Sequence, residues 1–91
     1  MALKIEVLVQ AWLKAETVAD RARKSASRAT ERLVYTREKA AAGGGKDIVV
    51  LLNTVETTVE TLKARHEAAE RQAAELFERM LEAKSQGEVH A

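Results

Sequence analysis

Apolar residues recur at coiled-coil spacing on both sides of three consecutive glycines, Gly43 to Gly45. In a heptad labelled a to g, the a and d positions of each helix face its partner. Before the glycines, the a and d series runs from Ile5 to Ala40, and Thr36 is its one polar member. After them it runs from Ile48 to Ala83, and His66 is the one polar member. The pattern predicts two long helices.

Folding the chain back at the glycines brings each a position of one helix opposite a d position of the other. Near the turn, Thr36 then faces Leu52, and near the open end Trp12 faces Leu76. Small residues mostly oppose larger ones, as interdigitating layers require. We therefore predict an all-α fold with one domain over residues 1–91, an antiparallel two-helix hairpin. Its elements are helix one at about 3–42, a glycine turn at 43–46, helix two at about 47–85 and a short C-terminal tail.

Two short stretches also have features of β-strands. Leu3 to Val9 alternates apolar and charged residues, and Asp47 to Leu52 is rich in β-branched side chains. Both stretches keep the heptad phase of their helices, which favours the helical interpretation. Asp47 is a candidate N-cap directly after the glycines, whereas Asn53 to Glu56 resembles the capping box of a later helix start. From the sequence alone, the strand alternative stays open.

The composition excludes several classes of site. The chain has no cysteine, so it contains neither disulfides nor thiolate metal sites. Charged residues at Lys4, Glu6 and Lys14 interrupt the apolar run near the N-terminus, and we expect neither a signal peptide nor a membrane span. The expected location is the cytoplasm, or outside the cell after export without a cleaved signal peptide.

Candidate catalytic and cofactor motifs are incomplete. His66 to Glu70 resembles the zinc-binding pattern H-E-x-x-H, but Glu70 stands where the second histidine is needed. The glycines and Lys46 lack the first glycine and the final hydroxyl residue of a phosphate-binding loop, since Ala40 and Asp47 occupy those positions. We expect no enzyme activity, no metal and no cofactor.

His66 is a candidate pH-sensitive core residue. It occupies an a position opposite Ala22 in the predicted pairing. Burial there would favour the uncharged ring, and acid would then loosen the middle of the hairpin.

The two halves of the chain carry opposite net charge. Residues 1–42 hold nine Lys and Arg against five Asp and Glu, a net +4, while residues 46–91 hold six against nine, a net −3. Opposite signs favour pairing between the helices over a nucleic-acid surface. One register would allow two cross-seam ion pairs, Arg23 with Glu70 and Arg37 with Glu56.

Association with nucleic acid is the alternative function. It would use basic residues of helix one, Arg21, Lys24 and Arg28. No aromatic residues are interleaved among them to stack on bases, and acidic residues dilute the cluster. We therefore expect nucleic acid to be an unlikely partner.

Apolar residues beyond the a and d positions gather toward both ends of the hairpin. A two-helix hairpin leaves such flanks uncovered, so they predict a partner. The simplest partner is a second copy, which would complete a four-helix bundle, and the other is a different helical protein. The candidate interface residues are Val9, Val18, Tyr35, Val49, Leu51 and Phe77.

Two long helices around a central glycine turn resemble the WXG100 (ESAT-6-like) family of small helical hairpins. The resemblance covers nearly the whole chain in architecture. The family's Trp-x-Gly turn is absent, because Ala41-Ala42-Gly43 stands in its place and the sole tryptophan is Trp12. The resemblance implies a dimer that a type VII secretion system exports folded. Together with the heptads, it leads us to expect a non-enzymatic structural or protein-interaction module.

Overall fold

A computed structural model describes the backbone of residues 4–90 and the side chains of residues 4–87. It contains helix α1, Ile5–Ala41, and helix α2, Gly45–His90. The two helices pack against each other along a rod of 69 × 18 × 15 Å. The all-α helical hairpin predicted from the heptads is confirmed.

The strand-like stretches are helical. Residues 5–9 form the first turns of α1, and residues 47–52 lie within α2. Lys4 is extended, with φ −63° and ψ 145°, and its carbonyl accepts the Val7 and Leu8 amides at 3.0 and 3.2 Å. Leu3, where the sequence predicted the start of helix one, lies outside the described residues. The heptad phase therefore decided correctly between helix and strand at both sites.

Three glycines make the turn, two because of their backbone angle and one because of the space around it. Gly43 has φ 93°, and its amide donates to the Ala40 carbonyl at 3.1 Å, as at many helix C-termini. Gly45 has φ 75°, which also disfavours a side chain. Gly44 leaves no room for a side chain, because a β-carbon there would collide with the Ile48 side chain.

Helix α2 is longer than predicted at both ends. It begins at Gly45, so Asp47 lies in the first turn rather than at the cap, where its carboxylate complements the positive end of the helix dipole. Asn53 lies inside the helix, so the later start was wrong. The helix continues to His90, through residues predicted as a tail, and no proline interrupts it.

The seam follows the predicted heptads over its whole length. Every described a and d residue is buried or half-buried except Ile5 at the open end, which is 38% exposed. Toward the turn, Leu33, Val55 and Val59 form a hydrophobic cluster. Buried Thr36 is the polar member of the core, and its hydroxyl donates to the Arg32 carbonyl at 2.7 Å. The middle of the seam is lined with alanine, including Ala15, Ala19, Ala26, Ala69 and Ala73.

Candidate protein-interaction surfaces

The seam divides the remaining surface into two long faces. On one side the e positions of the two helices meet, and Arg37 Nη2 lies 3.8 Å from Glu56 Oε1. The Trp12 and Phe77 rings meet on the same side, with their centroids 5.5 Å apart. A shallow groove follows this contact, lined by Trp12, Glu16, Glu70, Ala73, Ala74 and Phe77.

On the opposite side the g positions meet. A second groove runs there between the helices, and Val18 of α1 and Gln72 of α2 form its two walls. Lys14 lines the same groove, and its floor is the seam itself. Closer to the turn, the Lys39 ammonium lies 5.4 Å from the centre of the Tyr35 ring. The buried positions keep the heptad phase throughout, so the flanking positions also stay on one side each.

We call the e and b positions of both helices the acidic face. Seven acidic side chains lie there among the described residues, against five basic ones, a net −2. The acidic residues are Glu6, Glu16, Asp20, Glu56, Glu60, Glu67 and Glu70. The basic residues are Arg23, Arg37, Lys46, Lys63 and Lys84.

We call the g and c positions the basic face. Among the described residues it carries eight basic and three acidic side chains, a net +5. The basic residues are Lys4, Lys14, Arg21, Arg28, Arg32, Lys39, Arg65 and Arg79. The acidic residues are Asp47, Glu75 and Glu82. The hairpin is therefore a rod whose two long faces carry opposite charge.

The ion pairs of the described residues all use carboxylates of the acidic face. Asp20 contacts Arg23 at 2.5 Å and Lys24 at 3.1 Å, and these bonds hold the pKa of the Asp20 carboxyl below its usual value. Arg37 pairs with Glu56 as predicted. The predicted pair of Arg23 with Glu70 is not formed, because Asp20, one turn away on the same helix, holds the guanidinium. Within residues 4–87, no lysine or arginine of the basic face is within ion-pair distance of a carboxylate.

The candidate nucleic-acid residues divide between two environments. Arg21 and Arg28 lie on the basic face and are exposed. Lys24 lies on the outer edge of α1, where it contacts Asp20. The sequence interpretation overlooked how the heptad sorts the cluster: Arg21, Arg28, Arg32 and Lys39 share one face, joined there by Arg65 of α2.

The six candidate interface residues lie on opposite faces. Val9, Val49 and Phe77 occupy e positions on the acidic face, and Val9 is half-buried rather than exposed. Val18, Tyr35 and Leu51 lie on the basic face and are exposed by 57%, 59% and 46%. These residues cannot form one continuous patch, so an interface on one face uses only three of them.

Apolar side chains gather at the open end of the acidic face around the contact between Trp12 and Phe77, a contact that was not predicted from the sequence. We define the open-end patch as Val9, Trp12, Leu13, Phe77 and Leu81. Phe77, Leu13 and Leu81 stay 39%, 46% and 48% exposed. The heptad could have predicted this contact, because Trp12 at an a position and Phe77 at an e position are spaced to meet across an antiparallel seam.

His66 is half-buried, not buried. Its side chain is 29% exposed, and Nε2 lies 3.1 Å from Glu70 Oε1 on the same helix. The imidazole thus reaches from the seam to the acidic face. That acid loosens the hairpin here stays a prediction.

The described residues offer neither a cluster of metal ligands nor a membrane-spanning helix. No three His, Cys, Asp or Glu side chains converge there as a metal ion would require. Neither described helix combines the length and the apolar character needed to cross a membrane.

Comparisons with family models, with curated proteins and with solved structures found no match to this chain. The resemblance to WXG100 hairpins therefore rests on architecture alone, and export and pairing of that kind stay expectations.

Proposed function

We propose that the chain is a non-enzymatic protein-interaction module, which associates through its long faces with a second copy or with another helical protein. The observation that carries this proposal is the exposure of large apolar side chains. Eleven of them are between 38% and 65% exposed among the described residues. They lie on a thin rod whose own seam cannot cover them.

The exposed area supports the same conclusion. The hairpin exposes 7173 Å². A compact protein of about 10 kDa exposes about 5,200 Å². The excess is comparable to the total area that a standard protein interface buries, about 1,600 Å². Association side by side would remove much of it, in the manner of a four-helix bundle.

The test is the solution mass by light scattering over a concentration series, measured at low and at high salt. Association through apolar flanks survives or strengthens in salt. Leu13→Ala with Leu81→Ala would weaken it, and Val50→Ala, on the outer edge of α2, is the matched control. A folded monomer at all concentrations that also binds no helical partner would overturn the proposal. A chain that associates only with a second, different protein would favour the heteropartner and the secretion-pair interpretation.

Association with nucleic acid is a second candidate, and the net charge of the basic face favours it. Phosphate contacts weaken steeply as salt is added. Binding of a DNA duplex that falls in this way, and that Arg21→Glu with Arg28→Glu abolishes, would support this function. The scarcity of aromatic residues on the basic face, where Tyr35 is the sole example, argues against base stacking.

A further inference from the structure

The basic face carries a row of arginines with no internal partner. Arg21 and Arg28 lie seven residues apart at c positions, and Arg32 follows four residues later at a g position. All three are exposed, and none is within ion-pair distance of a carboxylate in residues 4–87. Unpaired arginines at regular spacing on a rigid helix form a ready surface for an equally regular row of carboxylates.

Such a row exists on the acidic face of the same molecule. Glu60 and Glu67 lie seven residues apart at b positions of α2, and Glu70 follows three residues later at an e position. Glu60 and Glu67 make no ion pair within the described residues, and Glu70 contacts only the half-buried His66. The arginines are spaced by seven and then four residues, and the glutamates by seven and then three. On two parallel helices the rows therefore match to within one residue.

Extending both rows by one heptad adds an aromatic residue of one copy and an apolar groove of the other to this match. Seven residues beyond Arg28 stands Tyr35, which is 59% exposed. Seven residues beyond Glu67 stands Ala74, which lines the groove beside Trp12 and Phe77. The register that joins the charged rows therefore also brings Tyr35 to the apolar groove at the open end. A tyrosine in an apolar groove is the kind of residue that dominates many protein interfaces.

We propose that the partner is a second copy of this chain, which docks its basic face onto the acidic face of the first. The second copy is rotated by 180°, so that its turn lies at the open end of the first copy. Its α1 then packs on α2 of the first copy, and these two helices run parallel. Arg21, Arg28 and Arg32 then face Glu60, Glu67 and Glu70, and Tyr35 enters the groove of Trp12 and Phe77. This inference rests on the proposed function and names the partner and its register.

Two different faces make this contact, so it is heterologous and does not close on itself. The pair still presents a free basic face on the first copy and a free acidic face on the second, and each can bind a further copy. Assembly is therefore open-ended, growing with protein concentration and dissolving as salt screens the charged rows. A dimer closed through two basic faces is disfavoured, because it would bring together two surfaces of net +5.

Complementary charge reversals test the proposal. One variant carries Arg21→Glu, Arg28→Glu and Arg32→Glu, and the other carries Glu60→Arg, Glu67→Arg and Glu70→Arg. All six residues are exposed, and circular dichroism checks that each variant keeps its helices. At low salt the parent should show a mass that rises with concentration. Each variant alone should lose this association by about 100-fold or more, because like charges then face each other.

The equal mixture of the two variants is the decisive sample, since only there do opposite charges meet again. The proposal expects the mixture to regain the concentration-dependent mass. A mixture that behaves as the sum of its two parts would overturn it. A matched control is the pair Arg71→Glu and Glu78→Arg on the outer edge of α2, where both residues are exposed, and it should leave the mass of the parent unchanged.

Fluorescence of Trp12, the single tryptophan of the chain, reports the register directly. Assembly should change its emission, and Tyr35→Ala should reduce both this change and the association. An emission that is the same in dilute and assembled protein would contradict the register.

Failure of this inference can be told apart from failure of the proposed function. Association that resists salt and both charge reversals, but is lost with Leu13→Ala and Leu81→Ala, would overturn the stacking and leave the interaction module in place. A parent that stays monomeric but binds a DNA duplex through Arg21, Arg28 and Arg32 would overturn both.

Discussion

Trp12 and Phe77 face each other across the open end of the hairpin, with ring centroids 5.5 Å apart and planes tilted by 45°. They are two of the three aromatic residues in the chain. Phe77 nevertheless remains 39% exposed, so it serves the hairpin and still offers apolar surface to a partner. The contact therefore stabilises the single chain, and under the proposed function its exposed edge would also contribute to association.

Phe77→Ala is expected to lower the free energy of unfolding by about 1–2 kcal/mol, since it removes the contact with Trp12 and part of the burial. Urea unfolding followed by circular dichroism measures the change. Val50→Ala is the control, because Val50 is 65% exposed on the outer edge of α2 and its loss should have little effect. Equal effects of the two substitutions would show that the aromatic contact does not stabilise the hairpin.

Two glycines of the turn and one glycine of α2 yield a prediction in which the same substitution differs in sign. Gly43→Ala should destabilise by about 1 kcal/mol, because φ 93° is unfavourable for a residue with a β-carbon. Gly44→Ala should also destabilise, since its methyl group meets the Ile48 side chain. Gly87→Ala should instead stabilise by up to about 1 kcal/mol, because Gly87 lies in α2 with open space around it. Thermal unfolding of the three variants ranks them, and a stabilising Gly43→Ala would contradict the role given to its backbone angle.

The heptad period predicted the seam residue by residue because one physical constraint acts at every layer. The side chains at the a and d positions must be buried away from water. That constraint reaches even strand-like segments, and Ile5 to Val9 and Asp47 to Leu52 are helical for this reason. Helix ends obey weaker forces of a few tenths to one kcal/mol, so the start at Gly45 and the extension to His90 could not be read from the pattern.

Surface contacts were predictable only in part. Arg37 and Glu56 pair across the seam, and neither has another contact that competes. Arg23 had a competitor, because Asp20 lies three residues away on the same helix, at a spacing where opposite charges are neighbours. The candidate interface residues were grouped by their distance along the rod, whereas the heptad position decides the face. Sorting these residues by heptad position would have placed Val18, Tyr35 and Leu51 on the basic face. It would have placed Val9, Val49 and Phe77 on the acidic face, on the other side of the rod.

His66→Leu tests the one polar a position of α2. Leucine fills a seam position where Ala22 leaves room in the predicted pairing, so we expect the free energy of unfolding to rise by about 1 kcal/mol. Urea unfolding at neutral pH measures this rise. Repeating the measurement in mild acid tests the sequence-based expectation for His66. If parent and variant respond to acid identically, His66 does not make the hairpin pH-sensitive.

Asp20 provides a prediction with a defined sign in pH. Hydrogen bonds from Arg23, and then from Lys24, lower the pKa of its carboxyl in the folded chain. Asp20 therefore contributes stability above its unfolded pKa of about 3.9, and this contribution is lost as the pH falls through the lower folded pKa. Because the pair is exposed, the contribution is small. Asp20→Asn should therefore unfold at a slightly lower urea concentration than the parent at pH 7. The difference should vanish below the folded pKa, and a gap of the same size at both ends of the pH range would show that the charge of Asp20 is not its cause.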